Sequence, residues 1–120
     1  MGSTFEKTLD SVVSGLKEQG FGVLTEIDVQ ATLKKKLNVD FRRYRILGAC
    51  NPPFAYQALL AEDKIGVLLP CNVIVQETVE GKVEVSAMDP AEAMGMIDNT
   101  DLTNVAEQAR ARLQKVIDSL

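Results

Sequence analysis

The sequence predicts an α+β fold: an antiparallel sheet of about four to five strands backed by helices. Three observations predict it. Apolar residues recur at helical spacing at both ends of the chain, over residues 4–19 and from about residue 100 to 120. Stretches rich in β-formers cluster between those ends. Two of these stretches flank a Glu80-Gly81 turn and read as a hairpin.

Each element has its own signal. Ser3 and Glu6 have capping-box spacing. Phe5, Leu9, Val12, Val13 and Leu16 follow on one face, and Gly20 suits a helix stop. Residues 21–29 alternate Val23, Thr25, Ile27 and Val29 against Leu24, Glu26 and Asp28, the pattern of a half-buried strand. Residues 30–37 read as a short helical connection. Phe41 to Cys50 forms a second strand, charged at its start and apolar at its end. Asn51 is a good N-cap, and Pro52 and Pro53 suit a first helical turn. Phe54, Ala55, Ala58 and Leu59 then give the apolar face of a helix running to about Glu62. Gly66 to Glu77 reads as a long strand in which Pro70 implies an edge or a bulge. Lys82 to Met88 returns with Val83, Val85 and Ala87 on one face. Asp89, Pro90 and Glu92 are a cap, a first-turn proline and an N3 acid. The last helix starts near Thr100 or Asp101, with Leu102, Val105, Ala106, Ala109, Leu113, Val116 and Leu120 as its buried stripe.

The length of 120 residues predicts one domain, residues 1–120, able to bury a core without staples. A 46% hydrophobic and 25% charged composition fits a globular chain and not a disordered one. The net charge of −4 argues against a nucleic-acid-binding surface. Residues 34–45 nevertheless carry +5, from Lys34, Lys35, Lys36, Arg42, Arg43 and Arg45 against Asp40. These residues fall on different elements and need not converge, so a solvated face is the simpler reading than an anion site. No apolar run approaches the ~18 residues that span a bilayer. The start, MGSTFEKTLD, lacks the pattern of a signal peptide, so a cytoplasmic protein is expected. The chain has no histidine, which removes the commonest general base and imidazole metal ligands. It has no Gly-rich phosphate loop either.

The chemistry-bearing stretch is GACNPPFAYQALLAEDKIGVLLPCNVIVQ. It holds both cysteines, Cys50 and Cys71, each followed by asparagine, Asn51 and Asn72. In a cytoplasmic chain two cysteines are expected as thiols. Cys50 stands where a strand gives way to a helix, and backbone N–H groups there could favour a thiolate. Cys71 follows Pro70 in an irregular part of the sheet. The competing reading is structural: buried cysteine packs as a small hydrophobe, and asparagine caps or braces backbone. Two thiolates would suit a soft ion such as Cu(I), with Met88, Met94 and Met96 as possible thioether partners. Glu26 and Asp28 share a strand face, but they most simply mark its solvent side.

The motifs GACNPPFAYQAL and IGVLLPCNVIV, followed by VSAMDP, resemble the bacterial and archaeal domain-of-unknown-function family 302 over nearly the whole chain. The resemblance implies a TATA-box-binding-protein-like fold and a homodimer. It emphasises Cys50, Asn51, Pro52, Leu69, Pro70, Cys71 and Asn72. It supplies no activity, and it does not imply DNA binding, because fold does not carry function.

The expectation is a small cytoplasmic binding module, homodimeric, with a small-molecule site around Cys50, Asn51, Pro52, Pro70, Cys71 and Asn72. The site would lie between sheet and helices, near Asn51 and Asn72, whose amides offer donors and acceptors. No catalytic residue and no cofactor is assigned. The alternative is a soft-metal or redox-thiol protein using Cys50 and Cys71.

Overall fold

The computed structural model describes residues 4–120. The elements run α1 (Thr4–Glu18), β1 (Gly22–Asp28), α2 (Val29–Leu37), β2 (Tyr44–Cys50), α3 (Pro52–Ala61), β3 (Cys71–Glu77), β4 (Val83–Ala87), α4 (Pro90–Met94) and α5 (Thr100–Asp118). The four strands form one antiparallel sheet in the order β1-β2-β3-β4. Ser3, expected to cap α1, lies outside the described residues.

Local chemistry explains the boundaries. Gly20 ends α1 with a φ of +85°, a conformation that costs glycine little. Asp28 caps α2 by accepting from the Ala31 N–H at 2.9 Å. Asp89 caps α4 through the N–H groups of Ala91 and Glu92. Asn99 caps α5 at the Leu102 N–H and donates to the Ala61 carbonyl at 2.7 Å, tying the end of α3 to the start of α5. The α5 stripe from Leu102 to Val116 is buried as expected, but Leu120 lies past the helix end and is about half exposed.

Two expectations about the sheet are corrected. Gly66–Leu69 is not strand. Ile65–Leu68 forms a 3₁₀ turn instead, and the Leu69–Pro70 bond is cis. The apolar residues there serve a helical core rather than a ladder: Ile65, Leu68 and Leu69 pack with Ala58, Met94 and Leu102. Pro70 therefore precedes β3, and the β2–β3 register from Tyr44↔Gln76 to Ala49↔Cys71 runs without a bulge. The irregularity lies across the sheet in β1, between Val23 and Thr25. The extra residue there breaks the expected alternation, so Val23 shares a face with Ala49 while Thr25 shares the opposite face with Gly48.

The helices build two cores. α1 and α5 cover one face of the sheet, where Phe5, Val12, Leu16, Leu113 and Val116 meet Leu47, Ala49, Cys71, Val73 and Val75. The second core is helical, with Ala58, Ile65, Met94, Leu102, Val105 and Ala106. α5 belongs to both cores, while α3 packs mainly on α5 rather than on the sheet.

Gly48 sits at the crowded centre of the opposite sheet face. A Cβ there would overlap Thr25 Oγ1 and lie 2.8 Å from the Pro70 ring. Gly48→Ala is therefore expected to destabilise the fold by about 1–3 kcal/mol, the usual cost of overpacking. Urea unfolding checks it; an unchanged midpoint would contradict the close approach.

Candidate functional site

The two cores do not merge, and a cleft of about 350 Å³ lies between them. The end of the sheet supplies Ala49, Cys50 and Cys71, with Phe21 just before β1 and Leu24 and Thr25 within it. α3 supplies Phe54, Ala55, Ala58 and Leu59. Met94 and Pro90 come from α4, and Val105, Ala106 and Ala109 from α5. Leu69 and Pro70 complete the wall. Small side chains explain the space: Ala49, Ala55, Ala58, Ala106 and Ala109 face it from three elements, and alanine cannot reach across. Leu24 and Leu59 line the cleft and are exposed to solvent, so its mouth is apolar too.

Of the six residues expected at a site, the structure brings four to this cleft: Cys50, Asn51, Pro70 and Cys71. Pro52 and Asn72 lie outside it. Pro52 is exposed in the first turn of α3 and does not line the cleft. Asn72 follows the inward Cys71, so the two-residue period of a strand turns it to the opposite face, where it is exposed. It stands opposite Gly48, and its carbonyl accepts from the Met88 N–H at 3.0 Å.

Asn51 is the one buried polar side chain among the described residues. Its Oδ1 accepts from the Phe54 N–H at 3.3 Å, and its Nδ2 donates to the Gln19 carbonyl at 3.4 Å. The same carbonyl accepts from Arg112 Nη1 at 3.4 Å. Asn51 is thus both an N-cap and a brace between the end of α1 and the start of α3. The start of α3 has no backbone donor to spare. Pro52 and Pro53 have no N–H, Phe54 donates to the Asn51 side chain, and Ala55 donates to the Asn51 carbonyl at 2.9 Å. The expected backbone support for a Cys50 thiolate is therefore missing.

The cysteines are free, Cys50 half-buried and Cys71 buried. Burial, reinforced by nearby Cys50, pushes the Cys71 thiol from an ordinary 9.0 up to about 11. Near neutral pH Cys71 is a protonated thiol, a compact and weakly polar piece of wall. Of the candidate thioethers only Met94 lines the cleft, and Met96 is almost fully exposed. No group of three or more His, Cys, Asp or Glu side chains among the described residues could hold a metal ion.

The basic stretch is largely matched by partners. Arg45 bridges Glu26 at 3.0 Å and Asp28 at 3.3 Å, so the two strand carboxylates flank one guanidinium. Lys34 meets Asp40 at 3.1 Å, and Arg43 meets Glu77 at 4.0 Å. Arg42 donates to Gln76 and lies 4.4 Å from the centroid of the Phe41 ring.

A family model described as a domain of unknown function, DUF302, matches residues 1–120. The chain belongs to the DUF302 family. The crystal structure of an uncharacterized conserved DUF302 protein from Bacillus stearothermophilus is similar in fold, with a TM-score of 0.88 and 29% identity. The match covers 97% of this DUF302 chain and 90% of that one. Among curated proteins, none matches. No helix among the described residues is long and apolar enough to cross a membrane.

The residues that sequence reasoning missed are the helical walls. Ala106 and Ala109 read as core stripe, and Phe54, Ala55, Ala58 and Leu59 as a packed face. The available signal was size, because small residues on two facing helices leave a gap between them.

Cys71 supplies a direct check. Only thiolate is nucleophilic, so at pH 8 Cys71 should react with iodoacetamide about a hundredfold more slowly than a free cysteine of ordinary acidity. Its rate should climb until the pH approaches 11. Peptide mass spectrometry of timed samples reads this, and labelling at the rate of a free thiol at pH 8 would contradict the buried, neutral group.

Proposed function

We propose that this chain is a small cytoplasmic binding module whose cleft takes an apolar organic ligand. One observation carries the proposal: an open cleft of about 350 Å³ walled almost wholly by apolar side chains, with an apolar mouth. Apolar cavities stay dry, and one of roughly 150 Å³ admits benzene. A cleft of this size suits a ligand of two or three rings or a medium alkyl chain. The asparagines contribute less than the sequence suggests, since Asn51 is engaged with backbone and Asn72 points elsewhere.

The sulfur reading has one observation for it and one against it. Cys50, Cys71 and Met94 line the same cleft, which is the donor set a soft ion prefers. Yet burial pushes the Cys71 thiol up to about 11, so an ion or exchange partner would first have to displace its proton. The apolar-ligand reading uses the thiols as they stand.

A homodimer is proposed on α3. Residues 52–61 carry no charged side chain, yet Tyr56, Leu59 and Leu60 are exposed. A helix apolar all round is normally buried. In a two-fold contact each patch meets its own copy, so a neutral patch avoids like-charge repulsion in a chain of net charge −4.

The neutral fluorophore N-phenyl-1-naphthylamine tests the cleft. It should bind with enhanced fluorescence, and Ala106→Phe, which fills the space, should abolish the signal. Should Ala106→Phe fail to fold, Ala55→Trp at the more open wall replaces it. Absence of binding to the wild-type chain, or equal binding to a folded filled variant, would overturn the proposal. Light scattering on the same samples should give twice the 13.1 kDa chain mass; a monomer would contradict the α3 contact.

A further inference from the structure

The cleft has a cation beside it that the apolar reading leaves without a role. Arg112 stands three residues beyond Ala109 on α5, next to the Val105–Ala109 stretch that lines the cleft but outside the lining itself. Its guanidinium lies 5.9 Å from the centroid of the Phe54 ring, a wall of the cleft. Its Nη1 donates to the Gln19 carbonyl, which also holds the Asn51 brace. These contacts hold the guanidinium beside the Asn51–Phe54 end of the cleft.

The charge of Arg112 is otherwise unmatched. Arg43, Arg45 and Arg110 each meet carboxylates. No ion pair engages Arg112 among the described residues. Its helical neighbours three and four residues away are Gln108, Ala109, Lys115 and Val116, which include a second cation and no acid. The start of α3, the other polar feature at this end, has no spare N–H. An anion here would find Arg112 as its partner.

We propose that the ligand of the cleft is an amphipathic carboxylate. Its apolar body lies against Ala58, Cys71 and Ala106, and its carboxylate meets the Arg112 guanidinium. A guanidinium offers five N–H donors in a planar fork, so donation to Gln19 leaves donors free for a carboxylate. The inference rests on the apolar-ligand reading and adds a polarity to it, with the tail among the alanines and the head at the Arg112 end.

The probes are dodecanoate and 1-dodecanol, which share a tail and differ in the head. Each is titrated at pH 8 as a competitor of N-phenyl-1-naphthylamine. Wild-type protein should bind dodecanoate on the order of tenfold more tightly than dodecanol, the scale of one charge-assisted contact. Arg112→Gln should erase that preference, read as the ratio of dodecanoate to dodecanol affinity within the variant. Arg112→Lys should retain part of it. Added salt should weaken dodecanoate alone. Equal binding of the two probes by the wild-type chain, or a preference that survives Arg112→Gln, would overturn the assignment of Arg112 while leaving the apolar cleft standing. Failure of the fluorophore to bind the wild-type chain would overturn both.

Discussion

The architecture of the site depends on one buried amide. A buried polar group is costly unless hydrogen-bonded, so Asn51 can be buried only while both ends of its side chain are satisfied. Its two partners belong to different elements: the Gln19 carbonyl just past α1 on one side and the first N–H of α3, that of Phe54, on the other. Burial of Asn51 therefore fixes where α3 starts relative to α1 and the sheet. From that anchor α3 runs onto α5, and its far end is held by the Asn99–Ala61 bond. Tethered at both ends, α3 cannot settle onto the sheet edge to close the space beneath it.

The space persists because of what lines it. The sheet core is filled by Leu47, Val73, Val75 and the large residues of α1, and the helical core by Ile65, Met94 and Leu102. Between them five alanines and two cysteines stand among the larger wall residues, and their short side chains leave the gap unfilled. The close approach of Thr25 and Pro70 to Gly48 packs β1, β2 and the residue before β3 tightly together at the cleft wall. Tight packing at Gly48 and sparse packing in the cleft thus meet at the same strand ends. The cleft's chemistry follows: a neutral Cys71, an Asn51 turned to backbone duty, and no spare N–H at the helix start. Such a wall rewards apolar surface and leaves Arg112 at the rim as the polar contact.

Much of the fold was legible because its signals are local. The caps at Asn51 and Asp89 and the stripe of α5 depend on short spacings. The strand start at Gly66 was misread because continuous apolar residues look alike whether they feed a ladder or a helical core. Gly66 and Pro70, one permissive and one without an N–H, decide for a turn. The β1 bulge left no sequence mark, since an extra Leu24 fits the alternation until its partner strand is known. At the site, Cys50, Asn51, Pro70 and Cys71 were found through punctuation. Asn72 was carried along with its cysteine, although strand alternation sends neighbours to opposite faces. The cleft itself was hidden because an alanine that packs and an alanine that leaves room are the same letter.

The central claim is that the fold keeps an open, apolar cleft between its two cores. Diffraction from crystals pressurised with xenon tests it directly, since xenon settles in apolar cavities and not in packed or wet ones. Xenon density between Ala58, Cys71 and Ala106 is the predicted result. A cleft closed by movement of α3 onto the sheet end, or filled by ordered water, would contradict the account.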